Sequence, residues 1–207
     1  MNSIGLALDI YKKVVFENVP FSLAIKNEWK NKNVEAPQRN EVSALVGCAL
    51  RHYLIFEYRI SELKIDFSNK EKLCIMLVLA NNLFIKKFDN SDILGFINEN
   101  FSSSDKQEAA LNLIQSLNDP NLLIPDSIDR NSKEYLSLRY NTPTWIVKML
   151  QKHYGYKFAY KTLRANSKPS INSCRVNSSI ISKDDFNFNL VDEFGNNIMM
   201  RLLKNKI

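Results

Sequence analysis

Residues 68–84 read Ser68-Asn-Lys-Glu-Lys-Leu-Cys-Ile-Met-Leu-Val-Leu-Ala-Asn-Asn-Leu-Phe84, and this stretch decides the fold. Ser68 and Glu71 have the spacing of a capping box, in which the serine hydroxyl accepts from the Glu71 amide and the glutamate reaches back to the serine amide. A helix is therefore expected from there through Phe84. Leu73 to Leu79 is apolar all round that helix, and such a helix belongs at the centre of a bundle, covered by other elements.

Working outward, Ile4, Leu8, Tyr11, Val15 and Val19 recur at three- and four-residue steps, which predicts an amphipathic helix ending before Pro20. Phe21 to Lys30 predicts a second, shorter one. Pro37 suits the first turn of a long third helix whose buried face carries Val42, Leu45, Val46, Ala49, Tyr53, Phe56, Ile60 and Leu63. Ser104-Asp-Lys-Gln107 repeats the capping pattern for a helix ending near Asn118-Asp-Pro120. Residues 1–118 thus read as an all-α bundle of five or six helices. Pro120, Pro125 and the polar run 126–133 read as a connection leaving it. Thr142-Pro143 gives a cap and a first-turn proline for a helix over 144–153. Gly155 is expected to end that helix in the left-handed conformation, and a second helix follows over 156–165. Beyond residue 170, extended structure is expected at 173–176 and 180–181. A short helix capped by Ser182-Lys-Asp-Asp185 is expected, and a hairpin from 188–191 and 198–203. The predicted class is mainly α: residues 1–130 a helical domain, 131–170 a helical linker, 171–207 the start of a small α+β subdomain.

With 45% hydrophobic and 24% charged residues among 207, the composition is that of a globular protein. The longest uninterrupted apolar run, Leu73–Ala80, falls far short of the roughly 20 residues that span a bilayer. No membrane partner is expected, and the cytoplasm is the expected compartment. The five glycines are isolated, so neither a dinucleotide fingerprint nor a P-loop can be assembled. His52 and His153 have no partners at metal-ligand spacing, and no metal is expected. Packing accounts for His52, and position near a helix C-terminus accounts for His153. Cys48, Cys74 and Cys174 form no pair motif, and each is expected to be a buried, inert thiol. No catalytic constellation is present, and none is expected.

Charge is the informative quantity. The net charge is +6, yet residues 1–135 sum to −2 and residues 136–207 to +8. From 136 to 183 there are nine basic residues (Arg139, Lys148, Lys152, Lys157, Lys161, Arg164, Lys168, Arg175 and Lys183) and no acidic one. Surfaces usually intersperse the two signs. A near-neutral body joined to a purely basic segment is the footprint of a polyanion-binding protein. Aromatic residues interleave with these cations, the arrangement by which proteins stack bases and neutralise phosphates of single-stranded RNA. Trp145, one turn into its helix, is expected instead to pack the two helices together with Val147, Leu150, Phe158 and Leu163. Tyr154 and Tyr156, which flank Gly155, are expected to be exposed.

Thr142-Pro-Thr-Trp-Ile-Val-Lys-Met-Leu-Gln-Lys-His-Tyr-Gly155, Ala165-Asn-Ser-Lys-Pro169 and Arg175-Val-Asn177 together resemble a known segment. It is the one that precedes the catalytic domain in Sun/Fmu-type ribosomal RNA cytosine-5 methyltransferases. Arg39-Asn-Glu-Val-Ser-Ala-Leu-Val-Gly-Cys-Ala-Leu-Arg51 is similar to the long-helix motif of the NusB-like domain that opens those proteins. The resemblance implies a NusB-like RNA-binding bundle, a basic linker and a partial RNA-recognition-like subdomain. It departs from the family at the single Pro169, where a proline pair is usual, and at Cys174, where leucine is common. The family's catalytic domain, with its S-adenosylmethionine and two cysteines, would follow residue 207. None of the cysteines here maps onto those two, so the methyl transfer does not carry over.

The expected function is placement of small-subunit ribosomal RNA by a unit that is non-catalytic alone. Phosphate neutralisation falls to Arg139, Lys148, Lys152, Lys157, Lys161, Arg164, Lys168 and Arg175, stacking to Tyr154 or Tyr156. Asn177 of the Arg-Val-Asn run joins the RNA-binding set. Two alternatives stand beside it: a NusB-like protein-interaction module in transcription antitermination, and a methyltransferase subunit completed by a separate catalytic chain.

Overall fold

The computed structural model describes residues 3–32 and 34–167. The extended segments, the short capped helix and the hairpin expected beyond residue 170 lie outside the described residues, and so does Cys174.

Ten α-helices follow one another among the described residues: α1 (Ser3–Val15), α2 (Phe21–Asn31), α3 (Ala36–Arg51), α4 (Tyr53–Ser61), α5 (Asn69–Ala80), α6 (Asn90–Asn100), α7 (Ser104–Ser116), α8 (Lys133–Arg139), α9 (Thr144–Tyr154) and α10 (Tyr156–Asn166). No strand occurs among the described residues. The protein is mainly helical, as its periodicity requires. The chain divides into two compact units after Tyr160, within α10.

α5 is the centre of the first unit. Every residue from Leu73 to Ala80 is buried, under α1, α3, α4, α6 and α7. The capping box forms as its spacing dictates: the Glu71 amide donates to Ser68 Oγ at 3.2 Å and the Ser68 amide to Glu71 Oε2 at 2.7 Å. Glu71 does more than cap. Its Oε1 also accepts from the Ser102 amide (3.0 Å) and hydroxyl (2.8 Å), which ties the α6–α7 turn to the start of α5. Burial alone pushes this carboxyl's pKa up, but the bonds from Ser102 and Ser68 outweigh it and hold the value down at about 2. A carboxyl depressed in the folded state stabilises the fold above its unfolded pKa and loses that contribution as pH falls through the folded value. Glu71→Gln should therefore cost about 2 kcal/mol at neutral pH. In urea titrations the gap from wild type should close between pH 4.5 and about 2, and a constant gap would exclude this coupling.

The long third helix expected over 37–63 is instead two. His52 leaves helical geometry at φ −114°, ψ 16°. In a continuous helix the Leu54 amide would donate to the Leu50 carbonyl. Here the side chain of Asn141 stands between them: its Oδ1 accepts from the Leu54 amide at 2.9 Å, and its Nδ2 donates to the Leu50 carbonyl at 2.9 Å. Insertion of a side chain into the helical ladder is an established cause of kinks. The residues expected on the buried face keep their burial on both sides of it, with Val42, Leu45, Val46, Ala49, Phe56 and Ile60 in the core.

Two other ends differ from expectation. α5 stops at Ala80 and continues as one widened π-helical turn, Asn81–Ile85, closed by a bond from the Lys86 amide to the Asn81 carbonyl at 2.7 Å. The buried Asn81 side chain causes this, since its Oδ1 accepts from the amides of Lys87 and Phe88 and so pulls the chain into a tight turn. α7 is capped by Ser103, one residue earlier than the repeated pattern suggests. α6, capped by Asp89, and α8, capped by Ser132, are helices that periodicity did not single out. Both are short.

Candidate nucleic-acid interface

The basic segment begins on α8, which packs on α4 and on α9. Asn141 holds a positive φ of 47°, a conformation that asparagine tolerates better than most residues. Through its two bonds to α3 and α4 it pins the α8–α9 corner to the bundle. Thr142 does not cap α9 as expected. Its hydroxyl donates to the Tyr140 carbonyl at 3.0 Å, and Pro143 occupies the capping position without a side-chain bond.

α9 buries Val147 and turns Trp145, Lys148, Met149 and Lys152 outward. These positions are three and four residues apart and so share one face. Trp145 is 66% exposed and Phe158 49%, which corrects the expectation that both pack between the helices. The reason lies in the corner between α9 and α10. Gly155 has φ 78° and ψ 166°, a region open essentially to glycine alone, rather than the left-handed conformation expected. Its amide closes α9 on Gln151 and its carbonyl opens α10 by accepting from Ala159, so one residue separates the two helices. α9 takes its packing from α8 instead, and its aromatic face remains open.

Around that corner the aromatic rings gather. Tyr154 is 63% exposed, and its ring centroid lies 4.8 Å from that of Phe158. Tyr156 is exposed, its ring near-parallel to Tyr160 at 6.5 Å, and Tyr160 meets Tyr140 edge-on at 6.1 Å. Lys148 and Lys152 flank this group from α9 and Lys157 from the first turn of α10, all exposed. None of the three is in an ion pair among the described residues. Arg139, exposed, ends α8. In the second unit, Lys161 and Arg164 are exposed one turn apart at the end of α10. Lys168, Arg175 and Asn177 lie outside the described residues.

The arrangement offers flat ring faces beside exposed cations. What the sequence reading missed is Trp145, Met149 and Phe158 as exposed members, and Arg130, whose carbonyl accepts from the Tyr156 hydroxyl at 3.5 Å. The shared spacing of Trp145 with Lys148 and Lys152 carried the signal for the first of these.

The remaining titratable groups suit packing. Burial pushes the Cys48 thiol up to about 11 and the Cys74 thiol to about 12, as expected of inert thiols. Neither fits a nucleophile toward a pyrimidine, and no step through S-adenosylmethionine follows from these residues. His52 stacks on Phe84 at 4.2 Å, and burial lowers its pKa. Among the described residues there is no cluster able to hold a metal ion, and no helix long and apolar enough to cross a membrane. No family model, no curated protein and no solved structure matches the chain.

Proposed function

We propose that this chain is the RNA-binding N-terminal portion of a Sun/Fmu-type ribosomal RNA (cytosine-5) methyltransferase, which positions small-subunit ribosomal RNA and does not itself transfer a methyl group. In this reading the bundle is NusB-like, and 171–207 begins a small α+β subdomain. Methyl transfer, with S-adenosylmethionine, falls to a catalytic domain or chain that completes the enzyme. One observation carries the proposal: Lys148, Lys152 and Lys157 stand exposed, with no ion pair among the described residues, beside the open rings of Trp145, Tyr154 and Phe158. Cations neutralise phosphates, rings stack bases, and no carboxylate between 136 and 183 opposes that segment's charge.

The test is titration of a labelled single-stranded ribosomal RNA fragment at several salt concentrations. Tight binding that falls linearly with salt on logarithmic axes is the expected result. Absence of binding at physiological salt would overturn the proposal.

The two tryptophans give a second readout. Trp145 is open and Trp29 is packed against the core, so bound RNA should quench the emission of Trp145. Trp145→Ala should abolish the quench and weaken binding by roughly 5- to 100-fold, the effect of losing one stacked base. Unchanged affinity in that variant would remove Trp145 from the interface.

A further inference from the structure

Between the 120–130 connection and α8 lies a cavity of about 220 Å³, walled by Asn121, Asp126, Arg130, Tyr135 and Arg139 together with apolar side chains. Its backbone is held by local bonds. Asp119 caps the 3-10 turn Pro120–Leu122, the Ile128 amide donates to the Pro125 carbonyl, and Asp129 accepts from Asn131. Ser132 caps α8 through the Tyr135 amide, and Tyr156 reaches the Arg130 carbonyl. Two arginines and one acidic residue, all three exposed, therefore line the same cleft, and neither arginine is in an ion pair among the described residues. Tyr135 and Asn121, also in the lining, carry neutral donors.

We propose that this cavity binds a phosphate group, held between Arg130 and Arg139. Guanidinium forks match the oxygens of phosphate in pairs. Two forks want more than the two oxygens of a carboxylate, and a phosphate supplies them, with room left for the sugar attached to it. The inference rests on the RNA reading for the source of that phosphate, a strand laid on the α9 face. The Tyr156–Arg130 bond places the cavity beside that face. Arg130 lies outside the acid-free segment, so charge patterning alone does not reveal it.

The experiment titrates the full chain with inorganic phosphate while following the arginine Nε–Hε resonances by NMR. It is repeated with one RNA oligonucleotide carrying either a 5′-phosphate or a 5′-hydroxyl. Saturable shifts of Arg130 and Arg139 are expected, with roughly tenfold or greater loss in Arg130→Ala and in Arg139→Ala. Asp126→Asn, which removes the opposing carboxylate, should tighten phosphate binding. Preference for the 5′-phosphorylated strand assigns the site to a chain end. Equal affinity for both strands, reduced in the arginine variants, assigns it to the backbone. Phosphate binding that persists while RNA fails to bind upholds the cavity and overturns the RNA reading. No saturable response to phosphate, or one unchanged in both arginine variants, overturns the cavity.

Discussion

Asn141→Ala should destabilise the protein by about 3 kcal/mol, read as a lowered midpoint of urea unfolding at unchanged slope. Asn141 serves both the Leu54 amide and the Leu50 carbonyl in their half-buried setting, and each group left unmet costs about 1 kcal/mol or more. Alanine also holds the left-handed conformation at φ 47° less readily, which adds about 1 kcal/mol. Asn141→Gly separates the two contributions, because glycine keeps the backbone and loses only the bonds. It should lose about 2 kcal/mol. Asn141→Asp retains an acceptor for Leu54 but sets a carboxylate oxygen against the Leu50 carbonyl, so it should fare no better than glycine. Hydrogen exchange at the Leu54 amide should accelerate in all three. A change below about 0.5 kcal/mol in Asn141→Ala would mean that α3 and α4 rejoin, with Leu54 bonded to Leu50, and that the kink has another cause.

The second large effect concerns binding. Reversing Lys148, Lys152 and Lys157 to Glu together should lower RNA affinity by roughly 10²- to 10³-fold at low salt, and should reduce the salt slope by about 2 to 3. Each lysine is exposed and in no ion pair among the described residues, so the fold should survive the change, and far-ultraviolet circular dichroism checks that. The same reversal of Lys26 and Lys30, exposed on α2, changes net charge without touching the α9–α10 corner. If that control loses as much affinity, the interaction is one of overall charge and the α9 face has no special part in it. If the triple variant binds normally, the basic segment is a solvated surface and the proposed function falls.

Local chemistry carried much of this fold. The all-round apolar run 73–79 demanded a central helix, the Ser68–Glu71 spacing demanded its start, and Ile4, Leu8 and Tyr11 face the core as their period requires. Capping and periodicity act within a few residues, which is why they are legible along the chain. The charge asymmetry marked the basic segment, and position beside Gly155 marked Tyr154 and Tyr156 as exposed. Other features depended on groups brought together from afar. The break at His52 requires Asn141, about ninety residues onward, and no local signal in 37–63 announces it. The widened turn at Asn81–Ile85 requires a buried amide that competes for the backbone of the next turn. The exposure of Trp145 depended on which neighbour α9 chose: an amphipathic period says that one face is covered, not by what. Because α8 supplies the cover and Gly155 turns α10 away in a single residue, the ring is left open. Arg130 and Arg139 likewise share a cavity because the 120–130 connection folds back along α8. Sequence by itself determined most of the helices, most of their core faces and the sign of the surface. Tertiary structure decided where the helices break and which aromatic and basic groups meet, because those outcomes turn on contacts between residues far apart in the chain.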